Sequence, residues 1–250
     1  MNPEEARWRE LGLWPLWLPR SEPALACRAV PAQVAPQPPL EPAGSAVSED
    51  LVSTAGWDEL QTLVRQCTRC PLHETRQQAV FGVGDRQARW MFVGEGPGAE
   101  EDQRGEPFVG AAGRLLDQML RAVGLNRAEN VYIANVVKCR PPQNRTPSDL
   151  ECAACMPYLR RQIALIKPTL IVALGKVAAH ALLDTDKTLG ALRGKPHRFG
   201  DIPVIVTWHP AYLLRNPADK AKTWEDLCRA RQMLASPCTP RDGSADTADT

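Results

Sequence analysis

The sequence predicts an α/β fold, namely a three-layer α/β/α sandwich with a central four-stranded parallel sheet. Two observations support this prediction: four apolar runs have the length of buried strands, and helical stretches separate them. Strands that alternate with helices usually run parallel, with helices covering both faces of the sheet. The predicted strands are WMFVG (90–94), VYIANVV (131–137), TLIVALG (169–175) and IPVIVTW (202–208).

The predicted helices follow from the apolar periodicity between these runs. One begins near Trp57, and the helix before the third strand takes Thr146 as its N-cap and Pro147 as its first residue. In parallel sheets, binding sites form in the loops at the carboxyl ends of strands, here the loops after the first, second and fourth runs. The helix before the third strand spans 148–167, and the remaining predicted helices span 111–125, 176–184 and 216–234.

The chain is predicted to divide into four parts. Residues 1–20 form a short helix and an aromatic segment, 21–55 a Pro- and Ala-rich linker, 56–235 the folded domain, and 236–250 a disordered tail. Residues 57–235 carry a net charge of +6, from 25 Lys and Arg against 19 Asp and Glu, which is compatible with a polyanionic partner. No apolar window is long enough for a membrane span, so we expect a cytoplasmic location, where thiols stay reduced.

Five cysteines suggest a metal centre. A zinc ribbon needs two CxxC pairs about 15–20 residues apart, whereas 81 residues separate CTRC (67–70) from CAAC (152–155). Cys139 follows the second predicted strand directly and can supply a third thiolate to a four-iron cluster beside Cys67 and Cys70. The fourth can come from Cys152 or Cys155, which share a helix face. A zinc site assembled from distant segments and a set of buried free thiols are the alternatives.

Two loops carry residues suited to chemistry. GEGPGAEEDQRGEPFVG (94–110) contains neither phosphate-binding glycine pattern, and its acidic residues would repel phosphate. It presents carboxylates and Phe108, which can position water and stack on a planar ligand, although an ordinary turn with solvated acids is the alternative. WHPAYLLRNP (208–217) presents His209 as an electrophile or acid. Its Leu213 and Leu214 can act as apolar wedges, and Arg215 is the cation beside them.

These motifs together resemble the family 4, or iron–sulfur, uracil-DNA glycosylases, from about Cys67 to Leu234. The resemblance rests on GEGPGAEEDQRGEPFVG, YIANVVKCRPPQNRTP, HPAYLLR and the order of the cysteines. It implies hydrolysis of the bond between uracil and deoxyribose in DNA, the first step of base excision repair. It also implies a 4Fe-4S cluster, with Cys155 before MPYL as the fourth ligand beside Cys67, Cys70 and Cys139, and Cys152 as a bystander.

The resemblance assigns roles to the loop residues. Phe108 would stack on the flipped uracil, Asn135 would pair with its edge, and His209 would donate to the charge that develops on it. Glu95 or Glu101 would stabilise the sugar cation and position water, and the sequence leaves both open. The backbone of Gly96 and Pro97 would line the same pocket. Leu213, Leu214 and Arg215 would enter the minor groove or fill the gap.

The implied partner is uracil-containing DNA, single- or double-stranded, bound by a monomer associated with the nucleoid. A non-catalytic iron–sulfur module that binds nucleic acid or senses redox state is the rival interpretation, and a zinc-stabilised hydrolase of another N-glycoside is a second. ELGLWPLW (10–17) loosely resembles short peptides that bind sliding clamps, so it is a hypothetical contact with a replication or repair partner. Packing of this segment on the protein's own core is the alternative.

Overall fold

The computed structural model describes residues 49–235. The helices are α1 (Glu49–Thr54), α2 (Trp57–Arg65), α3 (Leu72–Thr75), α4 (Ala99–Arg104), α5 (Ala111–Ala122), α6 (Asp149–Ile166), α7 (Lys176–Leu183), α8 (Leu189–Leu192), α9 (Pro210–Arg215) and α10 (Lys220–Ala235), with 3-10 turns at Pro142–Asn144 and Pro217–Asp219. The strands are β1 (Val83–Gly84), β2 (Trp90–Gly94), β3 (Val131–Asn135), β4 (Leu170–Leu174), β5 (His197–Phe199) and β6 (Ile202–Thr207).

The strands form one mixed sheet of six, in the order β1-β3-β2-β4-β6-β5. The four central strands are parallel and are the four predicted runs. The prediction of a four-stranded sheet is wrong because β1 and β5 add antiparallel edges. These edge strands have two and three residues, and none of their side chains is fully buried, so they leave no apolar run in the sequence.

Helices flank the sheet, and alternate side chains of each central strand enter two separate hydrophobic clusters. Met91 and Val93 of β2 belong to the cluster that contains buried residues of α1, α2, α6 and α7. Trp90 and Phe92 belong to the cluster that contains buried residues of α5 and α10. Since successive side chains of a strand point to opposite faces, the apolar runs reflect burial on both sides.

Two boundaries differ from their predictions. Helix α1 lies within the range 21–55 predicted as linker, and its Val52 is fully buried, so the described end of that range belongs to the folded domain. The N-cap of α6 is Ser148 rather than Thr146, because Ser148 and Glu151 form a reciprocal capping box. The predictions for residues 1–20, 21–48 and 236–250, including the peptide contact of 10–17, lie outside the described residues.

The register of the central strands places the predicted loops side by side. Gly94 at the end of β2 pairs with Asn135 at the end of β3, so both strands finish at the same level of the sheet. β6 ends at Thr207, immediately before the segment that carries His209. Within the range 49–235, no helix is long and apolar enough to cross a membrane.

Candidate active site and cysteine cavity

The loops after β2, β3 and β6 meet and bring together Phe108, Asn135 and His209, and we call the place between these three side chains the pocket. The ring centroids of Phe108 and His209 lie 5.5 Å apart at an interplanar angle of 31°. A Cβ placed on Gly94 would lie 2.5 Å from Asn135 Oδ1 and 2.6 Å from Phe108 Cζ. Glycine at this position therefore lets the amide and the aromatic ring approach the same point.

Asn135 carries an unsatisfied polar atom in this pocket. The residue is 2% exposed, and its Oδ1 has no hydrogen-bond partner among the described residues. Buried polar groups are nearly always hydrogen-bonded, and a lone exception costs about 1–3 kcal/mol. An amide oxygen held in this state is ready to accept a hydrogen bond from a ligand group that donates.

Phe108 is buried with a positive φ of 56°, an unfavourable conformation for a residue with a side chain. Arg127 holds this backbone, since its Nη2 donates to Phe108 O at 2.7 Å and its Nη1 donates to Pro107 O at 3.2 Å. Its Nε donates to Asp117 Oδ1 at 2.9 Å. Gly113 allows the close approach of α5, because a Cβ there would collide with Phe108 O.

His209 is the N-cap residue of α9, and its Nδ1 accepts a hydrogen bond from the Ala211 N–H at 3.1 Å. An accepting Nδ1 places the imidazole proton on Nε2, so we assign the Nε2–H tautomer. Burial lowers the pKa of His209 to about 4; Arg215 also lowers it, and Glu101 acts in the opposite sense. The side chain is therefore a neutral hydrogen-bond donor at pH 7.

The two candidate carboxylates have different surroundings. Glu101 Oε2 accepts from the Gly98 N–H at 3.1 Å, and its Oε1 accepts from the N–H groups of Val109 and Gly110 at 3.0 and 3.1 Å. Both of its oxygens thus tie the 94–110 loop together. The side chain of Glu95 forms no hydrogen bond within the described residues, and burial raises its pKa. Gly96 next to it is half-buried, and Pro97 is buried.

The sequence suggested that the 208–217 segment is a loop, but the segment contains the helix α9. Leu213 is 1% exposed, whereas Leu214 is 45% exposed and Arg215 is also exposed. The prediction that Leu213 is a wedge is therefore wrong, because a helix turns adjacent residues to different sides and places this one in the interior. Of the three predicted wedge residues, only Leu214 and Arg215 face outward.

A second small cavity gathers four cysteines: Cys67 and Cys70 from the α2–α3 connection, Cys139 after β3, and Cys155 from α6. N–H groups point at three of the sulfurs. Arg76 Nη1 donates to Cys139 Sγ at 2.9 Å, the Lys138 N–H donates to Cys155 Sγ at 3.3 Å, and the Arg69 N–H donates to Cys67 Sγ at 3.5 Å. Cys152 instead lines a separate groove between α6 and α7.

The residues of this cavity fit an iron–sulfur cluster. The donor set consists of four thiols from three segments, with hydrogen bonds to sulfur of the kind that surround such clusters. Burial raises the pKa of Cys155 to about 12 and also raises those of Cys70 and Cys139, so a cluster held here would have to stabilise the thiolates that burial disfavours. Within 49–235, no group of three His, Cys, Asp or Glu side chains is arranged to hold a single metal ion.

Comparison with known proteins agrees with this geometry. The profile of the uracil DNA glycosylase superfamily matches residues 81–228. A type-4 uracil-DNA glycosylase of Thermotoga maritima is 49% identical over 175 residues, covering 68% of this chain and 91% of the relative. One from Archaeoglobus fulgidus is 46% identical over 168 residues, covering 64% and 84%. The chain belongs to the type-4 uracil-DNA glycosylases. A type-5 enzyme of Pyrobaculum aerophilum is only 30% identical over 194 residues, covering 63% and 84%.

Sequence reasoning missed two residues of this type-4 site, Arg127 and Lys138. Arg127 acts on backbone carbonyls, which every residue has, so no side-chain motif marks it. Lys138 is 1% exposed, between an apolar strand and Cys139. A lysine in that position was a usable signal, since a buried lysine is rare without a partner.

Proposed function

We propose that this protein removes uracil from DNA by hydrolysing its N-glycosidic bond, which releases free uracil and leaves an abasic site for base excision repair. The observation that carries this proposal is the unsatisfied Oδ1 of the buried Asn135, which lies near the ring of Phe108, with the ring of His209 5.5 Å from that of Phe108. A base can reach such a pocket only after it leaves the stack. A DNA substrate is compatible with the expected association with the nucleoid, and the cytoplasmic location and the monomeric state stay predictions from the sequence.

Asn135 and Phe108 would select the base. The amide oxygen accepts a hydrogen bond from uracil N3–H, and the amide NH₂ group donates one to O4. Cytosine presents an acceptor at N3 and a donor at its amino group, so it leaves both amide groups facing like partners. A buried polar group left unpaired costs about 1–3 kcal/mol, and Asn135 would face two such mismatches with cytosine. The ring of Phe108 supplies a stacking surface for either pyrimidine.

His209 would stabilise the leaving group. Negative charge builds on uracil as the bond to the sugar breaks, and a neutral Nε2–H can donate to a carbonyl oxygen that carries this charge. The donor is already oriented by the Ala211 N–H on the other ring nitrogen. A fixed donor in a water-poor pocket costs no reorganisation in the transition state, which is why such groups contribute strongly to rate.

Glu95 is the better of the two candidates for stabilising the sugar cation and positioning water. Its carboxylate is free to bind a water molecule, whereas each oxygen of Glu101 is already occupied by backbone N–H groups. Glu101 then has a structural role in shaping the 94–110 loop. The backbone of Gly96 and Pro97 would line the same pocket.

Leu214 and Arg215 would contact the DNA from the end of α9. An exposed leucine can fill the gap left by a flipped base, and a neighbouring guanidinium can bind a phosphate. Both follow His209 by only a few residues, so the wedge and the leaving-group donor are carried by one short helix.

The cysteine cavity would hold a 4Fe-4S cluster through Cys67, Cys70, Cys139 and Cys155. When bound, the cluster supplies iron–thiolate bonds that join the α2–α3 connection, the end of β3 and α6. Its place next to β3 lets it stabilise the strand that ends in Asn135 without taking part in the bond cleavage.

A uracil-release assay on single- and double-stranded DNA tests the function. Iron-loaded wild-type protein should release uracil but not cytosine, and Asn135→Ala and His209→Ala should each slow release about a hundredfold or more. Failure of iron-loaded wild-type protein to release uracil from either substrate would favour the non-catalytic iron–sulfur module. Leu150→Ala, which truncates a surface side chain that is 83% exposed, is a control for substitution itself.

A further inference from the structure

Lys138 is a buried cation between the cysteine cavity and the uracil pocket. It is 1% exposed and lies three residues after Asn135 and one residue before Cys139. Its main-chain N–H donates to Cys155 Sγ at 3.3 Å. Burying an ammonium group is costly unless hydrogen bonds and opposite charge compensate it, so its partners indicate what it does.

The side chain of Lys138 points back toward the pocket strand. Its Nζ donates to Asn135 O at 2.9 Å and to Gln162 Oε1 at 2.6 Å. Gln162 is fully buried, and its Nε2 donates to Phe81 O at 2.9 Å, which fixes the orientation of the amide. The ammonium is thus anchored from α6 on one side and holds the last carbonyl of β3 on the other.

Neither of these two acceptors carries a charge. The sulfurs of Cys139 and Cys155 line the same cavity as Lys138. The same residue therefore links the cysteine cavity to the backbone of Asn135 through one main-chain and one side-chain hydrogen bond.

We propose that Lys138 is a positioning residue that transmits the order of the cysteine cavity to Asn135. This inference rests on the proposed role of Asn135 in binding uracil. The carbonyl and the side chain of Asn135 are attached to the same Cα, so a shift of this carbonyl also moves the side-chain amide. A misplacement of about 1 Å in a reacting geometry can cost about a hundredfold in rate.

Lys138→Met tests this link, since methionine has a similar length but neither charge nor donors. Single-turnover uracil release should fall about tenfold to a hundredfold, while iron and sulfide per chain stay at the wild-type level. The decisive measurement is the rate of uracil release by the double variant that carries both Lys138→Met and Asn135→Ala. If Lys138 acts through the amide of Asn135, Lys138→Met should cause no further loss in that background. Losses that multiply would overturn the proposal.

Gln162→Met provides a second variant in case Lys138→Met lowers the iron content or prevents folding. It removes the anchor of the ammonium from α6. It should keep full iron, slow uracil release, and add nothing to Asn135→Ala. A wild-type rate in this variant would contradict the proposal. Arg140→Met is the matched control, because it removes a positive charge from the same loop and the wild-type Arg140 side chain bonds to Asn144. Any loss of rate that it causes should multiply with the loss caused by Asn135→Ala.

Binding of free uracil to iron-loaded protein gives a readout that does not depend on catalysis. Calorimetry should show at least tenfold weaker binding for Lys138→Met than for wild type. If the wild-type protein neither binds nor releases uracil, the proposed function itself has failed. If wild type is active and both Lys138→Met and Gln162→Met match it in rate and uracil affinity, only the role of Lys138 is wrong.

Discussion

Arg127 Nη2 donates a hydrogen bond to the carbonyl oxygen of Phe108 at 2.7 Å, across 19 residues of sequence. The acceptor belongs to a residue with φ of 56°, so the guanidinium holds an unfavourable backbone conformation in place. Asp117, which pairs with the same guanidinium at 2.9 Å, fixes its orientation. The backbone of Phe108, the proposed stacking residue, therefore depends on the ion pair of Arg127 and Asp117.

Arg127→Ala should lower kcat/KM for uracil release about tenfold, which corresponds to about 1.4 kcal/mol of transition-state stabilisation. The reason is that Phe108 loses the donor that orients its backbone. The measurement is single-turnover release from single-stranded DNA, with Arg121→Ala, an exposed arginine at the end of α5, as the control.

A double-mutant cycle separates positioning from general stability. In a Phe108→Ala background, Arg127→Ala should change the rate little, because the ring that it positions is already absent. Equal losses in both backgrounds would show that Arg127 does not act through Phe108.

Glu95→Gln should slow uracil release about a hundredfold without lowering stability, because its carboxylate is expected to act on the substrate side. Burial raises the pKa of Glu95, so its ionised form is a cost to the folded state at pH 7, and a neutral glutamine should leave stability equal or higher. Glu101→Gln should have the opposite effect. It should lower the free energy of unfolding by about 1–3 kcal/mol, because one backbone N–H that donates to Glu101 loses its acceptor, and it should affect uracil release less.

Urea unfolding and single-turnover kinetics on the same preparations distinguish these two carboxylates. The assignment of the water-positioning role to Glu95 fails if Glu95→Gln releases uracil at the wild-type rate while Glu101→Gln does not.

The low pKa of His209 predicts a dependence of stability on pH. The folded pKa is about 4 and the reference value is 6.5, so between these values the unfolded chain binds a proton that the folded chain does not. Stability attributable to this residue is therefore complete above about pH 6.5 and falls as the pH drops toward 4. Urea unfolding at several pH values between 4.5 and 7.5 should show a weaker pH dependence for His209→Gln than for wild type.

The cysteine assignment predicts which substitutions cost the cluster. Cys139→Ala and Cys155→Ala should lose most of the iron and sulfide, because each removes one of four thiols that surround the cavity. Cys152→Ala should keep the wild-type content, since Cys152 lines the α6–α7 groove instead. Iron and sulfide analysis of anaerobically purified protein checks this, and loss of iron in Cys152→Ala alone would reverse the assignment of Cys152 and Cys155.

The sequence predicted the parallel centre of the sheet because strands buried on both faces leave continuous apolar runs. It could not predict β5, whose residues are partly exposed and leave no such run. The true N-cap of α6 was within reach, since Glu151 stands three residues after Ser148 and completes a capping box. The contacts of Arg127 with the pocket loop were not within reach, because both acceptors there are backbone carbonyls that only the folded chain brings together.

The burial of Leu213 illustrates the same limit and changes the prediction for the wedge. Leu213 and Leu214 are neighbours of the same type, and only the helical turn of α9 decides which one faces outward. Leu214→Ala should leave stability unchanged and slow uracil release more from double-stranded than from single-stranded DNA, because only a stacked, paired base must be displaced.

Leu213→Ala is the matched control on the same helix. It should cost about 2–5 kcal/mol of stability, since it leaves a cavity at a position that is 1% exposed. Its loss of activity at a temperature where it stays folded should be similar on both DNA forms. An equal effect of Leu214→Ala on single- and double-stranded DNA would show that this side chain does not take the place of the flipped base.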